Sequence, residues 1–340
     1  MKTSDYRKNT REGFIRWYAW SLEYKDCDPS VWMTNYLNLR FEHNDEQKLW
    51  LSWLYGNTYY LPTSWIMLNE FPDFELATVD RITYWNTHNY SKLRYQTDTK
   101  WNKGHFPTMF DSYKTFIGNT SQREKLNSYL GDNEDKSFNN LWDAIKSNLH
   151  KFGRYSTWFY MQHLYHTCNI PCKPTSLFLS DYSGSRSHRN GLLHALGKSD
   201  LIDTKLSTSE YNSLESEAKE ILIEMQYRFP HLVSELNFYT METCLCSFKK
   251  LFRKSRGRYL SYYLDRQAEE IMKVENDNWV GIDWNVLWQA RNETIDIKIN
   301  KKTGVDDYRY KDFLETGKLN NLEWMFSDEK PVLDGIENFF

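Results

Sequence analysis

No stretch of this 340-residue chain approaches eighteen consecutive apolar residues, so no segment reads as a membrane-spanning helix. The start, MKTSDYRKNTREGF, has no apolar signal region, and the expectation is a soluble intracellular protein. Cysteine is sparse: Cys27, Cys168, Cys172, Cys244 and Cys246. An odd number without a framework pattern fits a reducing compartment. The last four match the number of ligands zinc wants, but neither pair has a two-residue gap and Pro171 interrupts the first. Buried thiols are the expected role, and no metal site is expected. A Gly-x-x-x-x-Gly-Lys-Ser/Thr loop is absent, which disfavours a P-loop kinase. Repeats and low-complexity tracts are also missing, and residues 294–300 are the only fair strand candidate. A net charge of −3 argues against non-specific coating of nucleic acid, while leaving room for a local basic groove.

What the chain does have is aromatic surface and helical periodicity. Aromatics make up 17% of it, with 14 Trp and 24 Tyr; they can fill a helical core or stack on bases. Apolar residues at three- and four-residue spacing predict helices over 17–24, 31–41 and 45–55. A helix opened by Pro62 should stop before Pro72, with further helices over 78–90, 106–117 (opened by Pro107), 206–228 and 240–268, the last broken at Gly257. Residues 119–137 are polar and predict a surface connection. The fold class expected is all-α, in two packed helical lobes (1–118 and 138–297), with 298–340 a tail along the outside.

The most informative stretch is 141–197. LWDAIKSNLHKFGRYSTWFYMQ predicts two helices joined by a tight turn at Phe152-Gly153-Arg154, and the second helix's N-terminal N–H groups can hold a phosphate. Further on, SDYSGSRSHRNGLLHALG sets Asp181 beside Arg186, His188 and Arg189. Two other basic clusters stand out. One is Lys92, Arg94, Lys100, Lys103 and His105, interleaved with Tyr95 and Trp101. The other is FKKLFRKSRGR, six Lys or Arg in eleven positions, including Lys249, Lys250 and Arg253. Phosphate oxygens favour such charge-assisted donors. A lone cluster is usually a solvated face, but three in a net-acidic protein imply segregated charge.

The hairpin LHKFGRYS followed by the Asp of SDYSGSRSHRNG resembles the helix-hairpin-helix DNA glycosylases, in which the hairpin grips a backbone phosphate and an Asp serves the flipped nucleotide. The hairpin here is not of the Gly-x-Gly type, and no catalytic Lys or cluster-ligating Cys set accompanies it. A longer resemblance runs through WLYGNTYYLPTSWIMLNEFPDF, RYQTDTKWNKGHFPTMFDSY, FGRYSTWFYMQ, SGSRSHRNGLLHALG, METCLCSFKKLFR and RGRYLSYYLDRQAEEI. These blocks, spread over about residues 30–290, resemble the phage amino acid:DNA transferases, also described as α-glutamyl/putrescinyl thymine pyrophosphorylases.

That resemblance implies an enzyme in the host cytoplasm acting on double-stranded phage DNA. An amino-acid amine would replace the pyrophosphate of 5-pyrophosphoryloxymethyluracil, giving a hypermodified thymine. The partners implied are DNA bearing the modified thymine and a free amino acid as co-substrate. No cofactor is evident, and a divalent metal has no motif to support it. Asp181 is the first candidate for the base that takes the amine proton, His188 the second. Arg186, Arg189, Lys249, Lys250, Arg253 and the Gly153 turn are candidates for pyrophosphate or DNA phosphate. Arg94 or Arg154 suits the amino-acid carboxylate, Gln96 and Asp98 a base edge, and Tyr155 or Trp158, with Tyr95 and Trp101, a flipped base. Each has a structural alternative: Asp181 as a cap, His188 as a hydrogen-bonder, Gln96 and Asp98 as turn caps. A glycosylase-like base-excision enzyme and a non-catalytic DNA-binding protein are the other classes left open.

Overall fold

The computed structural model describes residues 9–294 apart from 24, 98, 182–185 and 253–261. The expected strand beyond Thr294, the tail from 298, and the sites expected at Asp98 and Arg253 lie outside the described residues. Among those that are described, the chain is all-helical, with no strand.

The first three helices are α1 (Thr10–Glu23), α2 (Pro29–Arg40) and α3 (Asp45–Thr58). α3 starts where a capping box dictates: Asn44 Oδ1 accepts from Gln47 N at 3.0 Å and Gln47 Oε1 from Asn44 N at 3.1 Å, which satisfies two otherwise orphaned donors. α4 (Leu61–Glu70) opens with Pro62 in its first turn and stops before Pro72, and α5 is Val79–Asn89. α6 (Asn102–Ile117) begins four residues before the 106 start expected from Pro107, and carries that proline inside it. Proline lacks the N–H that would meet the carbonyl four residues back. That carbonyl, on Lys103, accepts instead from Asn86 Nδ2 at 3.4 Å.

The connection expected over 119–137 is itself partly helical. Ser121 and Glu124 form a second capping box that starts α7 (Gln122–Asn127), and α8 (Glu134–Asn148) begins inside the same stretch. α9 (Arg154–Cys168), α10 (Ser187–Ala195) and α11 (Thr208–Arg228) follow. Of the helix expected over 240–268 with a break at Gly257, two helical parts are described, and Gly257 itself lies outside the described residues. α12 (Phe238–Phe248) tightens into a 3-10 turn at Lys249–Phe252, and α13 (Tyr262–Glu275) and α14 (Trp284–Thr294) follow.

α9 is buried on nearly every side and packs on α3, α8 and α2. Its approach to α3 is close because Gly56 faces Tyr160; a Cβ at Gly56 would sit 2.6 Å from the Tyr160 Cβ. Around that crossing, Trp50 and Trp53 stack at 5.2 Å and Trp53 and Tyr113 at 4.8 Å. Stacked pairs add to the stabilisation from buried area, and here most of the aromatic excess goes into the core. α1 packs on α10, α11 and α12, while α13 packs on α2 and α4, and α14 on α2. Contacts therefore cross between the 1–118 and 138–297 segments in both directions.

Candidate active site

Three helices meet around residues 186–189: α9 and α10 by their starts, and α12 by its middle to end. The turn into α9 is tight. Lys151 takes the left-handed conformation (φ 62), while Gly153 is extended (φ −75, ψ −176) and no side chain caps α9. The residue with positive φ is thus Lys151, and Gly153 serves the turn through its hydrogen bond to the Lys151 carbonyl at 3.0 Å.

Arg154, the first residue of α9, turns inward and is fully buried. Its guanidinium donates to Glu242 Oε1 at 3.1 Å and to the Leu177 carbonyl at 3.0 Å, and lies 4.9 Å from the Trp158 ring centroid. Glu242 comes from α12 and is also buried. Burial raises its carboxyl above the ordinary value, and Arg154 opposes the rise. His188 Nδ1 lies 3.7 Å from Glu242 Oε1. That approach would be an ion pair if the ring were protonated. Burial, reinforced by the charges of Arg154, Arg189 and Lys249, instead holds His188 well below its usual range, so the ring is a neutral base. Neither of its nitrogens has a hydrogen-bond partner. Beside it, Lys249 Nζ donates to Ser187 Oγ at 2.7 Å.

The segment leading to Asp181 is pinned from α11. Glu215 accepts from the backbone N–H groups of Leu177 and Leu179, both at 2.8 Å. Asp181 itself pairs with Lys146 of α8, whose ammonium also sits 5.2 Å from the Trp142 centroid. Asp181 is half-buried and borders residues 182–185.

The structure thus brings Arg154, His188 and Lys249 together and places Asp181 on the adjoining segment. Arg186 is exposed at the N-cap of α10, and Lys250 is half-buried in the 3-10 turn. Arg189 faces inward, donating to Tyr211 Oη at 3.2 Å and to the Ile202 carbonyl at 2.8 Å. Trp158 is wholly inside the core, whereas Tyr155 is half-buried, edge-on to Tyr59 at 5.3 Å. Arg94 and Gln96 stand on the segment after α5. Arg94 makes a bidentate pair with Asp277 at 2.6 and 2.7 Å, and Gln96 Oε1 accepts from Thr97 N at 2.7 Å. On that segment Tyr95 is half-buried and Trp101 is 70% exposed, with Lys100 4.9 Å from its centroid.

Glu242 and Glu215 are site residues that the sequence reading missed. Glu242 is the one carboxylate in the apolar run METCLCSF, and an acid placed so must be paired when buried; that was the available signal. Glu215 sits among several acids of α11, and nothing local distinguishes it. Among the described residues, no group of three or more His, Cys, Asp or Glu is arranged to hold a metal ion, the five cysteines are free thiols, and no helix is long and apolar enough to cross a membrane.

The profile of a family described as amino acid:DNA transferase matches residues 15–257. A serinyltransferase of Salmonella phage ViI is 25% identical over 299 residues, which covers 80% of this chain and 71% of that protein. No solved structure matches the chain.

Proposed function

The chain belongs to the amino acid:DNA transferase family, and from that premise we propose that it replaces the pyrophosphate of 5-pyrophosphoryloxymethyluracil in double-stranded phage DNA with the amine of an amino acid. The observation that carries this reading is that the matched residues, 15–257, contain the whole cluster of Arg154, Asp181, His188, Glu242 and Lys249. Serine is the first amino acid to test, since the phage relative is named for it.

In this reading the amine nitrogen attacks the exocyclic methylene, the bond from that carbon to the pyrophosphate oxygen breaks, and pyrophosphate leaves with the electron pair. The nitrogen's proton passes to Asp181, with the neutral His188 as the second candidate base. Charge building on the leaving group needs fixed donors. Arg186, Lys249 and Lys250 are positioned at or near the α10 end of the site, and Arg253 follows them in sequence. Arg154 holds Glu242 and shapes the floor, while Arg189 ties α10 to α11. The α8–turn–α9 unit acts as the helix-hairpin-helix element of a glycosylase-like fold, gripping a DNA phosphate at the uncapped start of α9. DNA runs along the seam between the helices of 1–118 and those of 138–297. The target base is flipped out, with Tyr155 or Trp101 to stack on it, while Arg94 and Gln96 serve the amino acid or the base edge.

The test is nucleoside mass spectrometry after incubating the protein with pyrophosphorylated hydroxymethyluracil DNA and mixed amino acids. The expected product is a thymidine adduct heavier by one amino-acid unit, with stoichiometric pyrophosphate. Asp181→Asn should bind DNA and release no pyrophosphate. Abasic sites or unchanged nucleosides would sink the transferase reading.

A further inference from the structure

A second cluster of buried polar groups lies further along α9 and α12, and it borders a cavity of about 290 Å³. Its centre is Asp28. This residue is the N-cap of α2, but it stands in the left-handed region (φ 51) and makes no side-chain bond to its own helix. The carboxylate points inward instead. Oδ2 accepts from Gln162 Nε2 of α9 and from Thr243 Oγ1 of α12, the latter at 2.6 Å. Asp28 and Gln162 are both more than nine-tenths buried, and Gln162 Oε1 has no hydrogen-bond partner. Both residues line the cavity, as do Glu235, His166, Asn35 and Trp32.

The electrical balance of this lining is one-sided. It contains two carboxylates and neither Lys nor Arg. Burial holds His166 down at about 4, so the ring adds no positive charge, and its Nε2 also has no hydrogen-bond partner. Burial pushes Asp28 up to about 7 and raises Glu235 as well. A buried carboxylate such as Asp28, with no Lys or Arg in the lining, is costly unless something cationic joins it, whereas half-buried Glu235 is partly offset by the charge of Lys25. A bare metal ion suits the space poorly: the volume equals roughly ten waters, and Leu22, Val31 and Trp32 give it apolar walls. Apolar walls fit an organic stem, and an indole face attracts a cation.

We propose that this cavity binds a small organic molecule through its protonated primary amine, which Asp28 and Glu235 face as counter-charges and Gln162 Oε1 meets as a neutral acceptor. Any carboxylate on the same molecule points to the rim, where Ser234 is exposed and Lys25 lies 5.5 Å from the Trp32 centroid. The link to the cluster described above is direct in sequence. Thr243 follows Glu242 on α12, and Gln162 lies two turns along α9 from Arg154, so the two sites share both helices. Identifying the amine as the transferred co-substrate rests on the proposed function; amine binding does not.

The test is calorimetric titration of the full chain, without DNA, with serine, ethanolamine and glycerate, which share a similar size and differ in amine and carboxylate. Serine and ethanolamine should bind and glycerate should not. Asp28→Asn should weaken amine binding at least about tenfold. Glu235→Gln, at a half-buried position where the fold should survive, should weaken it in the same direction. Glycerate binding as well as ethanolamine, no amine binding at millimolar concentration, or unchanged affinity in folded Glu235→Gln would each overturn the proposal. Amine binding without turnover on modified DNA would sink the transferase reading alone; turnover unchanged in the cavity variants, with no amine bound, would sink the cavity alone.

Discussion

Arg154 and Glu242 form an ion pair in which neither side chain meets solvent. Desolvating two charges offsets most of their attraction, so such a pair adds little net stability, yet removing one partner strands the other. Glu242→Gln should therefore lower the unfolding free energy by about 3 kcal/mol or more, read as a drop in the urea midpoint at unchanged slope. The double change Arg154→Met with Glu242→Leu should recover much of that loss. If Glu242→Gln unfolds at the wild-type midpoint, the Arg154 guanidinium is not stranded by the loss of this carboxylate. The two residues differed in legibility. Arg154 was visible as the cation after a turn glycine, though its inward course was not, because 3.6-residue periodicity marks a face and says nothing of which charges fold under it. Trp158 and Arg189 illustrate the same limit. Their types suit base stacking and phosphate binding, and packing against Arg154 in one case and Tyr211 in the other makes them part of the interior.

At the scale of elements, the position of His188 depends on how closely α10 approaches α12. Gly191 makes that approach possible: a Cβ there would lie 2.1 Å from the Leu245 carbonyl oxygen. Since the neighbour is helix backbone, it cannot rotate away, and Gly191→Ala must push the helices apart. The expected cost is about 1–3 kcal/mol, with a lower Tm. Gly104 in α6 is the contrasting case, its nearest neighbour being the Tyr90 ring at 3.9 Å. Gly104→Ala should raise stability by about 0.5–1 kcal/mol, since alanine loses less backbone entropy in a helix. Equal Tm values for the two variants would refute the close-contact account. Helices with strong local signals were legible: the three- and four-residue apolar spacing over 45–55 for α3, and Pro62 for α4. The start of α6 was not, because Asn86 from α5 satisfies the carbonyl that Pro107 leaves open. The tightening of α12 into a 3-10 turn after Phe248 was not legible, because Lys249 to Phe252 include no Pro or Gly to announce it.

Over the whole molecule, the sequence suggested two consecutive lobes, and the packing ties the first helix to the later half. Glu12 of α1 accepts from Arg228, at the end of α11, at 2.7 and 2.8 Å, and from Arg16 at 2.6 Å. No local pattern could announce a pair 216 residues apart; only the closed fold brings it together. The hydrogen bond from Arg228 holds the Glu12 carboxyl down at about 2, against its ordinary 4.5, with burial opposing and Arg16 assisting. A carboxyl with a lowered folded-state pKa contributes stability that is present above its unfolded value and is lost as pH falls through the folded one. The contribution of Glu12 should therefore be complete above about pH 5 and decline between 4.5 and 2. Because the network is partly solvated, we expect about 1 kcal/mol from it. Comparing Tm for the wild type and Glu12→Gln across this range tests the closure: the two should differ most above pH 5 and converge as pH approaches 2. A constant difference across the range would mean that Glu12 acts through packing alone. No difference at any pH would mean that α1 is held to the α10–α12 face by its buried aromatics, with Trp17 Nε1 donating to Ser247 Oγ at 3.0 Å, and that the charge network only decorates the join.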